Sequence, residues 1–319
     1  MASPKSRRNR SLRVFLTGAA GFVGARVAAQ LAEEGHAVIC AVRQTDHGRL
    51  AALGDRVSVA RLDLQDGAAV QDAMAQHRPD AVCHAAWQGV AGGARNDDWQ
   101  DVNVAVSANL AQAALANGVR VIVGIGSQAE YGPINRMAVE SDPCRPTTRY
   151  GRAKCQAHDA MAAACAQAGA RFAWMRIFSL YGPGDNPGWL IPSVTTALLQ
   201  GQRPALTGGE QNWDFLHVQD AARAIAAVLR APAAAGLFNL GSGQAPPLRH
   251  TLEMLRDLID PALPLGFGDV AYRPDQVMHL QADVSRLRRV TGWAPQVGLQ
   301  EGLAQTVAWH RARLSAGAV

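Results

Sequence analysis

The apolar run Val14-Phe15-Leu16 leads straight into Thr17-Gly18-Ala19-Ala20-Gly21-Phe22-Val23-Gly24, and a helical pattern continues through Glu34. No other stretch restricts the possible fold so strongly. Glycines spaced three and three between a strand and a helix predict a βαβ unit. Gly18 permits the tight turn, Gly21 lets the backbone approach a pyrophosphate, and Gly24 lets the helix pack closely. The start of that helix then offers free amides and a partial positive charge to the phosphates. A second strand over 37–43 arrives within the expected length, so the unit predicts a dinucleotide site edged by Gly18, Gly21, Phe22, Val23 and Gly24.

Further β-type runs over 57–64, 81–86, 119–127 and 172–178 alternate with Ala-rich helical segments such as 99–117. That alternation predicts an α/β chain with a doubly wound parallel sheet. After Tyr181 the sequence turns to Gly182-Pro183-Gly184-Asp185-Asn186-Pro187-Gly188, which marks departure into loops. The expected division is a Rossmann-type dinucleotide-binding domain over 12–182 and 214–243, and a smaller discontinuous α/β substrate-binding lobe over 183–213 and 244–319. Residues 215–218 and 237–240 are expected to return to the main sheet.

Tyr150 and Lys154 stand four residues apart, which on a helix places an ammonium beside a phenol on one face. A free phenol titrates at about 10, and a nearby cation favours the phenolate, so the pair is a candidate acid/base. The same spacing also occurs on plain helix surfaces, where Tyr packs and Lys is solvated.

These motifs resemble those of the extended short-chain dehydrogenase/reductase superfamily, in its nucleotide-sugar epimerase, dehydratase and ketoreductase branch. The likeness spans nearly the whole chain. Matching landmarks are Asp63-Leu64, His84-Ala85-Ala86, Asn103, Ser127 through Gly132, Arg176 through Asp185, Asp214 through Val218, and Phe238 through Gly241. The resemblance implies a catalytic set of Ser127, Tyr150 and Lys154, with Ser127 donating to a sugar carbonyl, Tyr150 exchanging the proton and Lys154 holding the phenol and the nicotinamide ribose. It places Asp63 and Leu64 at the adenine and Ala85 and Ala86 along the crevice. Gln128, Ser179, Trp213 and Arg273 fall at the substrate. His84 is a tempting alternative base, but the resembled pattern gives that position a structural role.

Departures from the pattern narrow the reaction. The 4,6-dehydratases of this superfamily carry Asp-Glu where this chain has Gln128-Ala129, so water elimination is disfavoured. Glu130 lies one position later; on an extended segment it would face away from Ala129, and is read as structural. Trp213 stands where the epimerase-like pattern has an Arg for the diphosphate, and Ser179 where an Asn is common; Arg273 keeps the resembled phosphate-binding position. The second strand ends Ala41-Val42-Arg43-Gln44 without the acidic residue that binds both ribose hydroxyls in NAD enzymes. Arg43 instead suits a 2′-phosphate, so NADP is expected over NAD. The reading is a reductase of a 4-keto-6-deoxyhexose nucleotide, with a 4-epimerase holding NAD as the alternative. A non-catalytic dinucleotide sensor would be expected to lose Tyr150 or Lys154, and both are present.

Charge adds little. The net charge of +5 traces to Lys5, Arg7, Arg8, Arg10 and Arg13; setting those aside leaves 26 basic against 26 acidic residues, so 1–11 reads as a basic flexible tail and no nucleic-acid partner is expected. No apolar stretch reaches the roughly 18 residues of a membrane span, and the N-terminus lacks the apolar core of a signal peptide, which predicts a cytoplasmic chain without a membrane partner. Five unclustered cysteines, Cys40, Cys83, Cys144, Cys155 and Cys165, predict reduced thiols and no metal site. The resemblance also implies a homodimer through the helix of residues 99–117 and the helix carrying Tyr150, both rich in Ala.

Overall fold

The computed structural model describes residues 11–43, 48–274 and 276–316; of the tail expected over 1–11 only Ser11 falls among them, and Gln44 lies outside. Seven parallel strands form the main sheet: β1 (Arg13–Thr17), β2 (Ala37–Val42), β3 (Ser58–Arg61), β4 (Ala81–His84), β5 (Val121–Ser127), β6 (Arg171–Ile177) and β7 (Gly236–Leu240). Their order is β3-β2-β1-β4-β5-β6-β7. The chain thus builds outward from β1 to one edge and then, starting at β4, outward to the other. The reversal between β1 and β4 opens a crevice at the carboxyl ends, where such sheets bind ligands.

Near-continuous apolar runs such as Val14-Phe15-Leu16 suit strands covered on both faces, and these three residues are fully buried. On one face pack α1 (Phe22–Glu33) and α5 (Val218–Arg230), through Val27, Leu31, Ile225 and Val228. On the other pack α2 (Gly67–His77), α3 (Trp99–Ala116) and α4 (Arg149–Gln167), through Met74, Leu110, Ala157 and Met161. A third core of Tyr181, Ile191, Val194, Leu198, Leu252, Leu255, Leu303 and Val307 joins segments far apart in sequence. No helix among the described residues is long and apolar enough to cross a membrane.

Two expectations need correction. Residues Leu237–Leu240 do lie in the main sheet, but Phe215–His217 pairs in parallel with Ser179–Tyr181 in a separate two-stranded sheet. With only three residues it extends the end of β6 rather than adding a full strand. The lobe boundary is also interleaved: Leu280, Ala282, Val284, Leu287 and Trp293 pack into the main core. Two buried carboxylates bind this returning segment. Asp214 accepts the amides of Ser242, Gly243 and Ala282, and Asp220 accepts those of Gln296 and Val297.

The Ala-rich helices α3 and α4 divide their alanines between the subunit interior and the surface. Ala111, Ala113, Ala114, Ala153 and Ala157 are buried within the subunit, where small side chains let the two helices approach each other and the sheet. Ala105, Ala108, Ala116, Ala160, Ala162, Ala163, Ala164 and Ala166 retain exposure.

Candidate active site

The glycine turn is shaped by close backbone approach. Gly18 has φ +68°, and a Cβ there would lie 2.6 Å from the Ala86 amide nitrogen; a Cβ on Gly24 would strike the Gly18 carbonyl oxygen. The turn is therefore pressed against the segment Ala85-Ala86 beyond β4. The first turn of α1 has no side-chain cap and no acidic residue, so its amides remain available to an anion, which fits a dinucleotide pyrophosphate. Asp63, Leu64, Ala86, Trp87 and Asn103 line one groove beside it. Asp63 is exposed and its carboxylate accepts the Gln65 amide at 3.0 Å. Arg43 is exposed where β2 ends.

His84 is a strut. The single Ser107 hydroxyl proton goes to the Asn103 carbonyl at 2.7 Å, so Ser107 must accept from His84 Nε2 at 2.9 Å. That leaves Nδ1 to accept from the Thr17 hydroxyl at 2.8 Å, while Thr17 Oγ1 accepts the Ala86 amide. Burial, helped by the Lys154 charge, holds this imidazole down to about 3, so it stays neutral and both nitrogens are engaged.

Thr148 starts α4 by accepting the Gly151 amide at 3.1 Å, which puts Tyr150 and Lys154 one turn apart at the crevice. Lys154 is buried, donates to the Ile125 carbonyl at 2.6 Å and sits 3.6 Å above the centroid of a Trp87 ring. Burial holds its ammonium down to about 7, against the pull of Glu130. The Tyr150 ring stands edge-on to Trp87 at 6.1 Å, with the Arg95 guanidinium 4.8 Å from its centroid. Burial pushes the phenol up; the hydrogen bond with Ser127 and the Arg95 charge pull against that. The expectation that Lys154 draws the phenol toward neutrality is therefore corrected. The ammonium is occupied by Ile125 and Trp87 and lies 5.9 Å from the Tyr150 centroid.

Ser127 ends β5 and opens a helical turn, Gln128–Glu130. Its Oγ accepts the Ala129 amide at 3.2 Å, and Glu130 Oε1 accepts the Ser127 amide at 2.7 Å, completing a capping box. Glu130 is fully buried and also accepts from Trp174 Nε1 at 3.0 Å and Arg176 Nε at 2.7 Å. Its role is structural for this reason, and the extended segment expected there is a tight helical turn.

On the sugar side, Gln128 lines a small cleft with Tyr131, Phe178 and Leu280. Ser179 follows Phe178, and Trp213 pairs with Leu280 in a second sheet. The Trp213 indole donates to the Ser179 hydroxyl at 2.7 Å, so the two departures from the epimerase-like pattern are bonded to each other. Arg273 is exposed on the segment that leads to His279–Ala282. Trp87 and Arg95, missed by the sequence reading, carry no spacing signal. The capping of Ser127 by Glu130 was legible as Ser-x-x-Glu.

Among the described residues one group holds three possible metal-ligating side chains close together, Glu130, Cys144 and Cys155. Glu130 is already saturated by its donors.

The model of the NAD dependent epimerase/dehydratase family matches residues 14–241. The UDP-glucose 4-epimerase of Azospirillum brasilense is 28% identical over 325 residues, covering 94% of this chain and 92% of its own. A dTDP-glucose 4,6-dehydratase of an Actinoplanes species is 29% identical, covering 95% and 99%. The crystal structure of Thermus thermophilus UDP-glucose 4-epimerase in complex with NAD superposes with a TM-score of 0.83 at 26% identity, covering 94% of this chain and 99% of that one.

Proposed function

Because the chain belongs to the NAD dependent epimerase/dehydratase family, we propose that it reduces the C4 carbonyl of a nucleotide-linked 4-keto-6-deoxyhexose, with NADPH as cofactor. The placement of Tyr150 carries this reading: its ring stands edge-on to Trp87 at 6.1 Å, one turn before the buried Lys154, and burial pushes its phenol up, which favours the protonated state a proton donor needs. A bound nicotinamide supplies the hydride. On this chain the Ser127 hydroxyl orients the sugar oxygen and Tyr150 gives that oxygen its proton. Lys154, one turn along and held by the Ile125 carbonyl, reaches the nicotinamide ribose. Gly18, Gly21, Phe22, Val23 and Gly24 hold the pyrophosphate at the start of α1, Asp63 and Leu64 face the adenine, and Arg43 pairs with a 2′-phosphate. Gln128 and Arg273 contact the nucleotide sugar. Ser179 and Trp213 shape its pocket.

A second reading, a 4-epimerase with bound NAD, is favoured by the full-length similarity to 4-epimerases and by the NAD in the Thermus neighbour. Against it stands the Trp213–Ser179 bond, which occupies the place of an Arg and an Asn. A dehydratase is opposed by Glu130, whose oxygens are committed to Ser127, Trp174 and Arg176.

One experiment separates the two. Protein is purified, its bound nucleotide is released by denaturation, and separate native samples receive NADPH with a nucleotide-linked 4-keto-6-deoxyhexose or UDP-glucose alone. Empty protein that oxidises NADPH only with the keto-sugar supports the reductase. Released NAD together with formation of the C4 epimer of UDP-glucose would replace it by the epimerase.

The exposed Ala residues of α3 and α4 further support a homodimer built on that face, two small-residue surfaces meeting across a two-fold axis. Light scattering at micromolar concentration is expected to give twice the 33.8 kDa chain mass. A monomer mass would discard the dimer.

A further inference from the structure

Cys40 and Cys83 are buried thiols pushed up to about 12, and Cys165 to about 11. Cys144 and Cys155 stand apart as a pair. Cys144 is exposed on the loop preceding α4, and Cys155 is half-buried on α4 itself, directly after Lys154. Their sulfurs lie within 4.8 Å of one another and of a Glu130 carboxylate oxygen. Arg176 Nη2 donates to the Cys144 sulfur at 2.9 Å while its Nε holds Glu130. The remaining nitrogen, Nη1, is buried without a partner. This buried guanidinium therefore meets one carboxylate, retains spare donor capacity and points a second donor at a thiol.

The surroundings divide the two sulfurs into different roles. A hydrogen bond from Cys155 and the charge of Arg176 hold the Cys144 thiol down to about 7, against burial and the charges of Glu130 and Asp159. Donating that bond, with burial, pushes Cys155 up. A thiolate is the reactive form, so one sulfur is prepared to attack and its neighbour is held as a thiol within reach. A metal ion fits less well, since Glu130 already accepts from Ser127, Trp174 and Arg176 and the guanidinium repels a cation.

We propose that Cys144 and Cys155 form a reversible dithiol site for hydroperoxides, with Cys144 the attacking sulfur and Cys155 the resolving one. The Cys144 thiolate attacks a peroxide oxygen and the O–O bond breaks. This leaves a sulfenic acid on Cys144 and a hydroxide or alkoxide that takes up a proton. The Cys155 sulfur then attacks the sulfenic sulfur, and its proton leaves with the displaced hydroxide as water. The peroxide gains two electrons and the thiols lose two; an external dithiol restores them. Oxidation reaches the catalytic centre through short links. The disulfide withdraws the Cys144 sulfur from Arg176, Arg176 holds Glu130, and Glu130 caps Ser127.

The test oxidises the full chain with hydrogen peroxide, alkylates it under denaturing conditions and maps the peptides by mass. The expected product is a Cys144–Cys155 link, two hydrogens lighter and reversed by dithiothreitol, while Cys40, Cys83 and Cys165 alkylate fully. In Cys155→Ser, where the hydroxyl can still donate to Cys144, oxidation should stop at a sulfenic acid that dimedone traps on Cys144. Before oxidation, Cys144 should alkylate roughly tenfold faster at neutral pH than an ordinary thiol, because more of it is ionised. Full alkylation of Cys144 after peroxide, or a link joining two chains, would overturn the proposal. Circular dichroism of each variant separates a lost site from a lost fold.

Discussion

On the cofactor side of the cleft, the backbone at Gly18 runs so close to Ala86 that a Cβ would come within 2.6 Å of its amide, and the anion cradle beyond it consists of main-chain groups at the start of α1. On the sugar side, Ser179 and Trp213 meet across 34 positions of sequence through a 2.7 Å side-chain bond. The first wall is made of backbone, within one turn and the helix it opens. It suits the pyrophosphate of any dinucleotide. The second is made of side chains from separate segments, and each is open to replacement. On the proposed function, the cofactor class would follow from the fold and the choice of sugar from a few exchangeable residues. On the same proposal Tyr150, Lys154 and Ser127 serve both walls.

The largest expected effect is at this shared centre. Tyr150→Phe removes the transferable proton and keeps the ring against Trp87, so turnover should fall about 10²–10⁴-fold with cofactor affinity nearly unchanged. A variant that keeps most of its rate would remove Tyr150 from the chemistry. Arg43→Asp probes the one side chain assigned to cofactor choice. Loss of a charged contact worth about 1.5–3 kcal/mol should lower the NADP/NAD affinity ratio roughly ten- to hundredfold, and titrations showing an unmoved ratio would return the cofactor assignment to NAD. Gly24→Ala tests the backbone wall: the added methyl strikes the Gly18 carbonyl, and overpacking of this kind costs about 1–3 kcal/mol. Thermal melting should register the loss, together with weaker binding of both cofactors alike. The smallest effect is expected from Ser179→Ala, which deprives the Trp213 indole of a bond worth about 0.5–1.5 kcal/mol. It should change KM for the sugar and leave cofactor binding untouched; an equal effect on both would show that the two walls are not independent.

Much of the cofactor wall was legible in the sequence. The spacing of Gly18, Gly21 and Gly24, the strands around them and the four-residue interval from Tyr150 to Lys154 are local properties, readable wherever periodicity is strong. The sugar wall was legible only as departures at Trp213 and Ser179. That these two residues bond to each other depends on the pairing of Phe215 with Ser179, which brings Trp213 close to it. The short strand Phe215–His217 was misplaced for a related reason. Three apolar-rich residues fit either sheet, and the partner Ser179–Tyr181 decides between them.

By itself the sequence determined the doubly wound sheet, the glycine turn at its switch point and the helix face shared by Tyr150 and Lys154. Those follow from hydrophobic period, turn chemistry and short spacing, which act over a few residues. Tertiary structure alone decided which charges those residues carry. Lys154 is held near neutrality because it is buried beneath Trp87 and against the Ile125 carbonyl. His84 is kept neutral between Thr17 and Ser107. Glu130 is withdrawn from chemistry by Arg176 and Trp174, and the Cys144 thiol is held below the ordinary range by Cys155 and that same arginine. Each of these depends on desolvation and on partners tens of residues away, and neither exists until the chain has folded around the group.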